Sequence, residues 1–552
     1  MGNQSKQKDN FIAQAGILAA AGIITRVIGL LYRSPMTAVI GEQGLGYYQA
    51  AYGYYNIILL VSSYSIPSAI SKVIAQKLAV REYRNAHRIF YCAMGYVLTV
   101  GLIASLFLFF GAGLFVEEAA IPVLRTFAPT IFIYGILGVL RGYFQAHKSM
   151  VQTSVSQILE QIANAVVSVG GACLLIRIGL GSLETPAEEA GRIQHAVYGA
   201  MGSALGTGIG VLVGLLFMVG MYFLNRKLIL KRVARDRHER VDSYASMIRT
   251  ITLIVTPFIL STAVANLNGA VNNYIYTKLI PNLREVDSAL QYFKWGIYSG
   301  QSMIVSNIPT AFATAMAAAM IPSVAQLSAA GEKGLAREKI GMAIKTTMII
   351  SIPSAVGLFT LAKPTMYFLF PRPDDVVTLA GRLLMVLSVS VIFYALCTLS
   401  NSILQGLGKV NVPIINAGIA LAVQTVVSVI LLLHTEMDCY GLAVTNTLYA
   451  GIMCLLNQFS LRRAIGYRQE WKKTFFLPGL AAIVMGVVAR AVYELIYLAC
   501  SSMRIALIPA IAVGVIVYLA MLLVLKAMSE QELRALPKGY LIVKIAKKCR
   551  LL

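Results

Sequence analysis

Fourteen mostly apolar stretches, separated by short polar gaps, run along this chain at 11–33, 46–79, 86–112, 121–146, 151–177, 195–224, 246–276, 296–325, 341–362, 376–405, 411–434, 440–461, 475–499 and 503–526. None alternates with the period of two that a half-buried strand requires, and each is long enough for a helix to cross about 30 Å of hydrocarbon. The pattern predicts an all-α polytopic membrane protein with about 14 transmembrane helices. Several stretches exceed the roughly 20 residues a perpendicular span needs, so tilts, breaks or extensions beyond the bilayer are expected. Pro67, Pro122, Pro129, Pro257, Pro309, Pro322 and Pro353 fall within or near spans. Each removes a backbone donor, and kinks are expected at several of them.

Composition agrees. Of 552 residues 58% are hydrophobic and 13% charged, and the mean hydropathy is +0.72, which excludes an ordinary soluble enzyme and a disordered chain. The net charge of +23 would suggest nucleic acid on a soluble protein, but here the basic residues occupy the gaps between spans. That is a signature of membrane topology, and no nucleic-acid partner is expected. With both termini in the cytoplasm, inner segments and their flanks hold about 34 of the 47 Lys and Arg, and outer ones about 8. The richest inner segment is 225–249, with Arg226, Lys227, Lys231, Arg232, Arg235, Arg237 and Arg240. The apolar run from Phe11 to about Tyr32 lacks a small-residue cleavage site and reads as a retained first span. Lys6 and Arg550 spoil the lipidation patterns at the two ends. Seven scattered cysteines without a CxxC spacing indicate neither a metal site nor a disulfide framework.

The basic segment splits twelve spans into six plus six, and the halves resemble each other. A shift of 260 brings Tyr134 onto Tyr394, Gln145 onto Gln405 and Val166-Val167-Ser168-Val169 onto Val426-Val427-Ser428-Val429; a shift of 242 brings Ile66-Pro67-Ser68-Ala69 onto Ile308-Pro309-Thr310-Ala311. Six helices per half give both repeats the same orientation, an arrangement suited to alternating access. The expected organisation is an N-terminal six-helix bundle (1–224), a basic cytoplasmic linker (225–245) and a second six-helix bundle (246–462). Two additional helices (463–527) and a basic cytoplasmic tail (528–552) follow.

Ionisable groups at membrane depth mark the candidate site, because each costs about 2.5–3.5 kcal/mol on insertion scales unless it faces a partner or a cavity. Arg26 lies two-thirds of the way through the first span and Arg33 ends it. A guanidinium fork suits a phosphate; the alternative is a structural arginine that pairs or snorkels. Glu160 heads a polar stripe in the fifth span, with Gln157, Asn164 and Ser168 on its face and Gln161 beside it. It could carry a proton, hold a cation or balance an arginine, Arg26 among them. Asn266, Asn268, Asn272 and Asn273 in the seventh span, and Gln301, Ser306 and Asn307 in the eighth, serve substrate contact or helix-to-helix bonding equally well. Tyr47, Tyr48, Tyr52, Tyr54 and Tyr55 favour an interfacial aromatic belt over a sugar-binding surface. Arg490 and Glu494, four apart, are expected to neutralise each other. No GxxxxGK[ST] loop occurs, all seven aspartates lie in gaps, and the histidines form no cluster. The pattern points to moving a substrate rather than converting one, with no cofactor.

Three motifs carry a family resemblance. Leu140-Arg141-Gly142-Tyr143-Phe144-Gln145 followed by Ser156-Gln157-Ile158-Leu159-Glu160-Gln161 resembles the span 4 to span 5 signature of Gram-positive polysaccharide-export proteins of the stage V sporulation protein B group. Thr25-Arg26-Val27-Ile28-Gly29 resembles the span 1 motif of MurJ-type lipid II flippases, and Gly41-Glu42-Gln43-Gly44-Leu45-Gly46-Tyr47-Tyr48-Gln49 fits the sporulation-type group. The resemblance covers nearly the whole chain and places it in the multidrug/oligosaccharidyl-lipid/polysaccharide (MOP) superfamily. It implies two MATE/MurJ-like six-helix bundles around a cationic cavity, and two further helices forming a groove for a lipid tail. It also implies a substrate: an undecaprenyl-pyrophosphate-linked glycan, lipid II in particular, flipped across the plasma membrane. Arg26 matches the family's span 1 arginine and Arg33 the second after a one-residue shift. The acidic residue early in span 2 has no clear match, with Glu42 a few positions earlier, and the span 8 arginine is absent, with Gln301 nearby. The candidate substrate-binding set is therefore Arg26, Arg33, Glu42, Arg141, Gln145, Glu160, Asn164, Asn272 and Gln301. Membrane lipids and cell-wall synthesis proteins are the expected partners. A multidrug antiporter, an exporter of another lipid-linked polysaccharide and a non-transporting assembly scaffold are the alternatives.

Overall fold

The structure, a computed structural model, describes residues 21–527 apart from 23, 65, 148, 235 and 237–241. The start of the first expected span and the basic tail lie outside the described residues. Among those described, every regular element is helical. Ten helices among the described residues are long and apolar enough to cross a membrane. The chain divides into two compact units, Met1–Gly296 and Ile297–Leu552.

In the N-terminal unit, residues 24–31 are helical and lead into α1 (Arg33–Leu59). The chain stays helical past Arg33 and breaks at Gly41, whose φ of 69° only glycine adopts without strain. Then come α2 (Ile66–Ala79), α3 (Tyr83–Phe110), α4 (Ile121–Ala146), α5 (Met150–Leu180), α6 (Glu189–Ala234), α7 (Tyr244–Tyr274) and the short α8 (Ser288–Trp295). Between α1 and α2 a π-helical turn occupies Leu60–Tyr64. Pro67 cannot donate to the preceding turn, so the ladder widens just ahead of it. Three glycines of α4, at i, i+3 and i+7, receive this break: a Cβ at Gly135, Gly138 or Gly142 would meet Val97 and Ser63, Pro67, or the Pro67 carbonyl respectively. The core beside it is formed by Ile66, Ile70, Phe90, Val97, Leu137 and Phe144.

The basic segment is not a loop throughout. Helix α6 is 46 residues long, about 69 Å at 1.5 Å per residue, more than twice the hydrocarbon thickness. Residues 225–234 continue the helix because they hold good helix formers (Arg, Lys, Leu) and neither glycine nor proline. Beyond the helix, Asp236 and Asp242 are held at the α2–α3 turn. Lys77 Nζ bonds Asp242 at 2.6 Å and Glu82 at 2.8 Å, and Asp236 accepts the Arg84 amide at 2.7 Å.

The C-terminal unit contains α9 (Thr310–Ala329), α10 (Lys333–Thr360), α11 (Ala362–Leu369), α12 (Asp374–Gly406), α13 (Asn411–His434), α14 (Asp438–Ile465), α15 (Leu477–Cys500) and α16 (Met503–Val524). A π-helical segment, Gly296–Ser302, followed by a single α-helical turn, Met303–Ser306, precedes Pro309. Pro129 and Pro353 sit inside helices that continue through them. The duplication is visible in turn chemistry. The Glu82 amide bonds the Lys77 carbonyl at 3.0 Å and the Arg81 amide that of Leu78 at 3.1 Å. In the other half Glu332 bonds Leu327 at 3.0 Å and Gly331 bonds Ser328 at 3.1 Å. Both turns close on a left-handed residue, Arg81 (φ 63°) and Gly331 (φ 73°). Helices α15 and α16 pack on each other and on α10. The Tyr518 hydroxyl donates to the Ile349 carbonyl at 2.7 Å.

Candidate functional site

Helices α4 and α5 form a tight hairpin, and the polar stripe of α5 faces back across it. Arg141 on α4 donates through Nε to the Ser156 hydroxyl at 2.9 Å and through Nη2 to Glu160 Oε2 at 2.7 Å. The Arg141 side chain is 5% exposed and that of Glu160 22%. The guanidinium is thus the more deeply embedded member of the pair. The third wall is α6. A Cβ at Gly210 would strike the Glu160 carbonyl at 2.6 Å, and one at Gly214 would lie 3.5 Å from Arg141 Nη2. Two glycines one turn apart let α6 approach closely enough to seal the pair. Further along the stripe, the Ser168 hydroxyl bonds Asn164 Oδ1 at 2.8 Å and the Ser203 carbonyl at 3.1 Å.

Glu160 therefore pairs with Arg141, nineteen residues away, and not with Arg26. Arg26 is exposed and has no ion-pair partner among the described residues. Its helix face does meet the stripe: a Cβ at Gly29 would lie 3.2 Å from the Gln161 side-chain amide, and positions 26, 29 and 33 share one side of a helix. Arg33 lies half-buried near Tyr48, and its Nη1 is buried without a hydrogen-bond partner. An arginine nitrogen left bare in this way is a donor for an incoming acceptor.

The other candidates scatter. Gln145 is half-buried at the end of α4. Glu42 is 5% exposed on α1, beside the α8 junction, where a Cβ at Gly296 would meet the Glu42 carbonyl at 2.1 Å. Asn272 bonds Asn268 Oδ1 at 3.2 Å within α7, and its neighbour Asn273 ties α7 to the Ala50 carbonyl of α1 at 2.8 Å. Gln301 belongs to the C-terminal unit, where its Nε2 is buried without a partner.

The α1 tyrosines form no interfacial belt. Tyr47, Tyr48, Tyr54 and Tyr55 are buried. Tyr48, Tyr52 and Tyr55 gather around Phe127 of α4, with ring centroids 5.4, 5.8 and 4.9 Å away. Arg490 and Glu494 do pair on α15.

Two features of the C-terminal unit escape a reading of the sequence. One is a chain of amides: Asn457 donates to Asn401 Oδ1 at 2.8 Å, and Asn416 donates to Asn457 Oδ1 at 2.9 Å and to the Ser460 hydroxyl at 3.2 Å. The 260-residue shift was the available signal, since it carries Arg141 onto Asn401 and Ser156 onto Asn416. The other is a cavity of about 600 Å³ between α10, α15 and α16, walled by Ile349, Pro353, Leu358, Met485, Ile511 and Val515.

Comparison with known proteins places this geometry in a family. Residues 11–328 match the model of the family described as "Polysaccharide biosynthesis protein", and residues 298–430 match MatE. The chain is 24% identical to the lipid II flippase MurJ of Bacillus subtilis (strain 168) over 496 residues, covering 86% of this chain and 87% of that protein. It is 23% identical to stage V sporulation protein B of the same organism over 548 residues, covering 97% and 100%. Among solved structures, MurJ in an inward closed conformation superposes with a TM-score of 0.62 at 14% identity, covering 91% of this chain and 97% of that one. An inward-facing MATE transporter of the MOP superfamily gives 0.58 at 16% identity, covering 80% and 95%. The fold is thus that of MurJ and the MATE transporters. The family match spans more than half of the 552 residues, and this multi-pass membrane protein belongs to the polysaccharide biosynthesis protein family, within the MOP superfamily of transporters.

Proposed function

We propose that this protein is a flippase that moves an undecaprenyl-pyrophosphate-linked cell-wall precursor, lipid II in the first place, from the inner to the outer leaflet of the plasma membrane. In this reading the chain has fourteen spans, both termini in the cytoplasm, and two six-helix bundles that rock in alternating access. The carrying observation is the meeting of the arginine-bearing face at Arg26, Gly29 and Arg33 with the α5 polar stripe at Gln161, where Arg33 keeps a bare buried donor. Donors of this kind suit a pyrophosphate. The apolar cavity beside α15 and α16 suits a polyprenyl tail, which stays in a hydrocarbon-like wall while the head crosses. The chain carries no nucleotide-hydrolysing loop motif, so the drive in this reading is membrane potential or an ion gradient. An outside-positive potential favours outward movement of net negative charge.

The test is transfer of fluorescent lipid II in proteoliposomes, with and without an imposed voltage. Arg26→Ala removes an exposed cation and is expected to abolish transfer while leaving detergent stability unchanged. Full complementation of a flippase-depleted strain by Arg26→Ala, or transfer in vesicles equal to that of the parent protein, would refute the clamp.

A further inference from the structure

The connector between α14 and α15 is short, basic and aromatic: Gly466-Tyr467-Arg468-Gln469-Glu470-Trp471, followed by a π-helical turn, Lys472–Phe476. Pro478 has no amide to donate, so the ladder widens ahead of it. The wide turn sorts its side chains. Thr474 and Pro478, four apart, are buried against the unit. Trp471 and Phe476 point away from it, 70% and 66% exposed, and Lys472 and Lys473 are exposed beside them. The Trp471 and Phe475 rings lie 5.1 Å apart. An indole pairs a large apolar body with one N–H that needs a wet partner, and such a ring on an outer face belongs at a membrane interface.

The charge around these rings selects the lipid. Arg462 and Arg463 end α14, and Arg468, Lys472 and Lys473 follow. All five are exposed, none is in an ion pair among the described residues, and Glu470 is the one acid in the stretch 462–473. Arg462 and Arg463 also complement the C-terminal dipole of α14; the other three lie beyond that last turn. Arg337 of α10 adds a further guanidinium. Its Nε donates to the Ile465 carbonyl at 2.6 Å, and a Cβ at Gly466 would lie 3.3 Å from its Nη2. The connector is held in place as well. Tyr467 is buried, a Cβ at Gly341 of α10 would lie 3.7 Å from its ring, and its hydroxyl donates to Gln469 Oε1 at 3.3 Å. A surface fixed in advance loses little freedom when a ligand settles on it.

We infer that this connector is a docking surface for an anionic phospholipid of the phosphatidylglycerol type. Its lysines and arginines meet the phosphate, and Trp471 and Phe476 lie against the upper part of the chains. A zwitterionic lipid carries the same phosphate but covers it with its own ammonium, so the surface prefers a head with net negative charge. An exposed, spread set of point charges suits a lipid of the bilayer, whereas a pyrophosphate calls for convergent guanidinium forks. With both termini in the cytoplasm, the orientation proposed above, the surface meets the inner leaflet. Helix α15 opens directly behind it at Leu477, so a lipid bound here sets the depth of the helix whose Met485 walls the apolar cavity. The inference does not depend on what the protein transports.

The full-length protein in phosphatidylcholine nanodiscs supplies its own probe. Trp471 is one of two tryptophans, and the other, Trp295, is 4% exposed. The difference between wild-type protein and Trp471→Phe isolates the Trp471 emission. Phosphatidylglycerol with a nitroxide near the head of one chain is compared with equally labelled phosphatidylcholine at the same mole fraction. The labelled phosphatidylglycerol should quench Trp471 as if enriched about fivefold at low salt, and the preference should shrink at high salt; this arm needs no charge variant. Arg468→Gln/Lys472→Gln/Lys473→Gln should bring the two lipids to equal quenching, with both still quenching because the rings stay in the interface. Equal quenching in the wild-type protein would overturn the headgroup preference. A preference that survives both high salt and the triple variant would do the same. Quenching by neither lipid would overturn membrane contact and leave the surface to a soluble partner. Undecaprenyl pyrophosphate that expels the labelled lipid at one molecule per protein would give the surface to a transported lipid and overturn the resident one. None of these outcomes refutes the flippase reading.

Discussion

Between α4, α5 and α6 the N-terminal unit buries a charge pair; at the same register between α12, α13 and α14 the C-terminal unit buries amides. Arg141 and Ser156 shift by 260 onto Asn401 and Asn416, and Ser168 onto Ser428. The bonding positions persist as well: Ser168 meets the Ser203 carbonyl at 3.1 Å, and Ser428 meets Thr445 at 3.4 Å, a shift of 242 for the second partner. Duplication kept the places where helices are joined by polar groups, and only one copy keeps ionic charge there. The two layers differ in kind. An amide chain satisfies itself, carries no net charge and feels neither voltage nor an approaching anion as strongly as an ion pair does. An ion pair in low dielectric is costly to assemble, and it responds to any third charge. On the proposed function, the layer with the ion pair is the one an approaching charged substrate would disturb, and the amide layer the one that braces its unit.

Removing one member of the ion pair should have the largest effect. Arg141→Ala leaves Glu160 without its cation and is expected to cost about 3–5 kcal/mol, read as a large drop in the detergent melting temperature, together with loss of lipid transfer. The double change Arg141→Gln/Glu160→Gln should recover most of that stability, because no charge is left uncompensated, while transfer stays lost. If the single variant melts like the parent protein, the pair is not buried in the way that sets the two units apart.

The amide chain should respond less. Asn457→Ala takes the donor from Asn401 Oδ1 and leaves Asn416 only its bond to Ser460, with an expected cost of about 1–3 kcal/mol. Transfer in vesicles at a temperature well below melting should fall by less than about threefold if the layer only braces the unit. A loss of transfer as complete as that of Arg141→Ala would mean that the C-terminal layer also handles substrate.

How much of this was legible in the chain depends on whether the signal is local. The helical class, the family and the breaks at Pro67 and Pro309 follow from patterns a few residues long, and the structure places π-helical segments ahead of both prolines. Arg141 and Glu160 could each be singled out, but their pairing could not. It depends on the rotation of α4 against α5, which is fixed by Gly210 and Gly214 some fifty residues downstream. By chemistry alone Arg26 suits Glu160 as well as Arg141 does. The α1 tyrosines have the composition of an aromatic belt, and rings on other helices, Phe127 beside Tyr48 and Tyr55, Tyr292 beside Tyr47 and Phe115 beside Tyr54, cover them. The segment 225–234 reads as linker because it is charged, and its residues, good helix formers, instead continue α6. The amides Asn401, Asn416 and Asn457 lie on three helices and are unremarkable one at a time.

The smallest effect is expected at the duplicated turns, where the two halves also differ. In the N-terminal unit Lys77 reaches Asp242 and Glu82, and all three side chains are roughly one-quarter to one-third exposed. The register of 250 puts Leu327 at the position of Lys77. The C-terminal turn is instead tied by Arg337, whose Nε donates to the Ile465 carbonyl at 2.6 Å. A solvent-screened pair contributes little, and here the connector has other holds: Asp236 on the Arg84 amide, the Asp242 amide on Asn85 Oδ1 at 3.1 Å, and Arg88 stacked over Tyr244 at 5.0 Å. Lys77→Ala should therefore cost no more than about 1 kcal/mol, and the difference from the parent protein should shrink at high salt as the Debye length contracts. Melting temperatures at low and high salt measure both quantities. Equal losses for Lys77→Ala and Arg141→Ala would mean that burial does not separate the two ion pairs, and the contrast between a responsive buried pair and an incidental surface one would fail at its physical root.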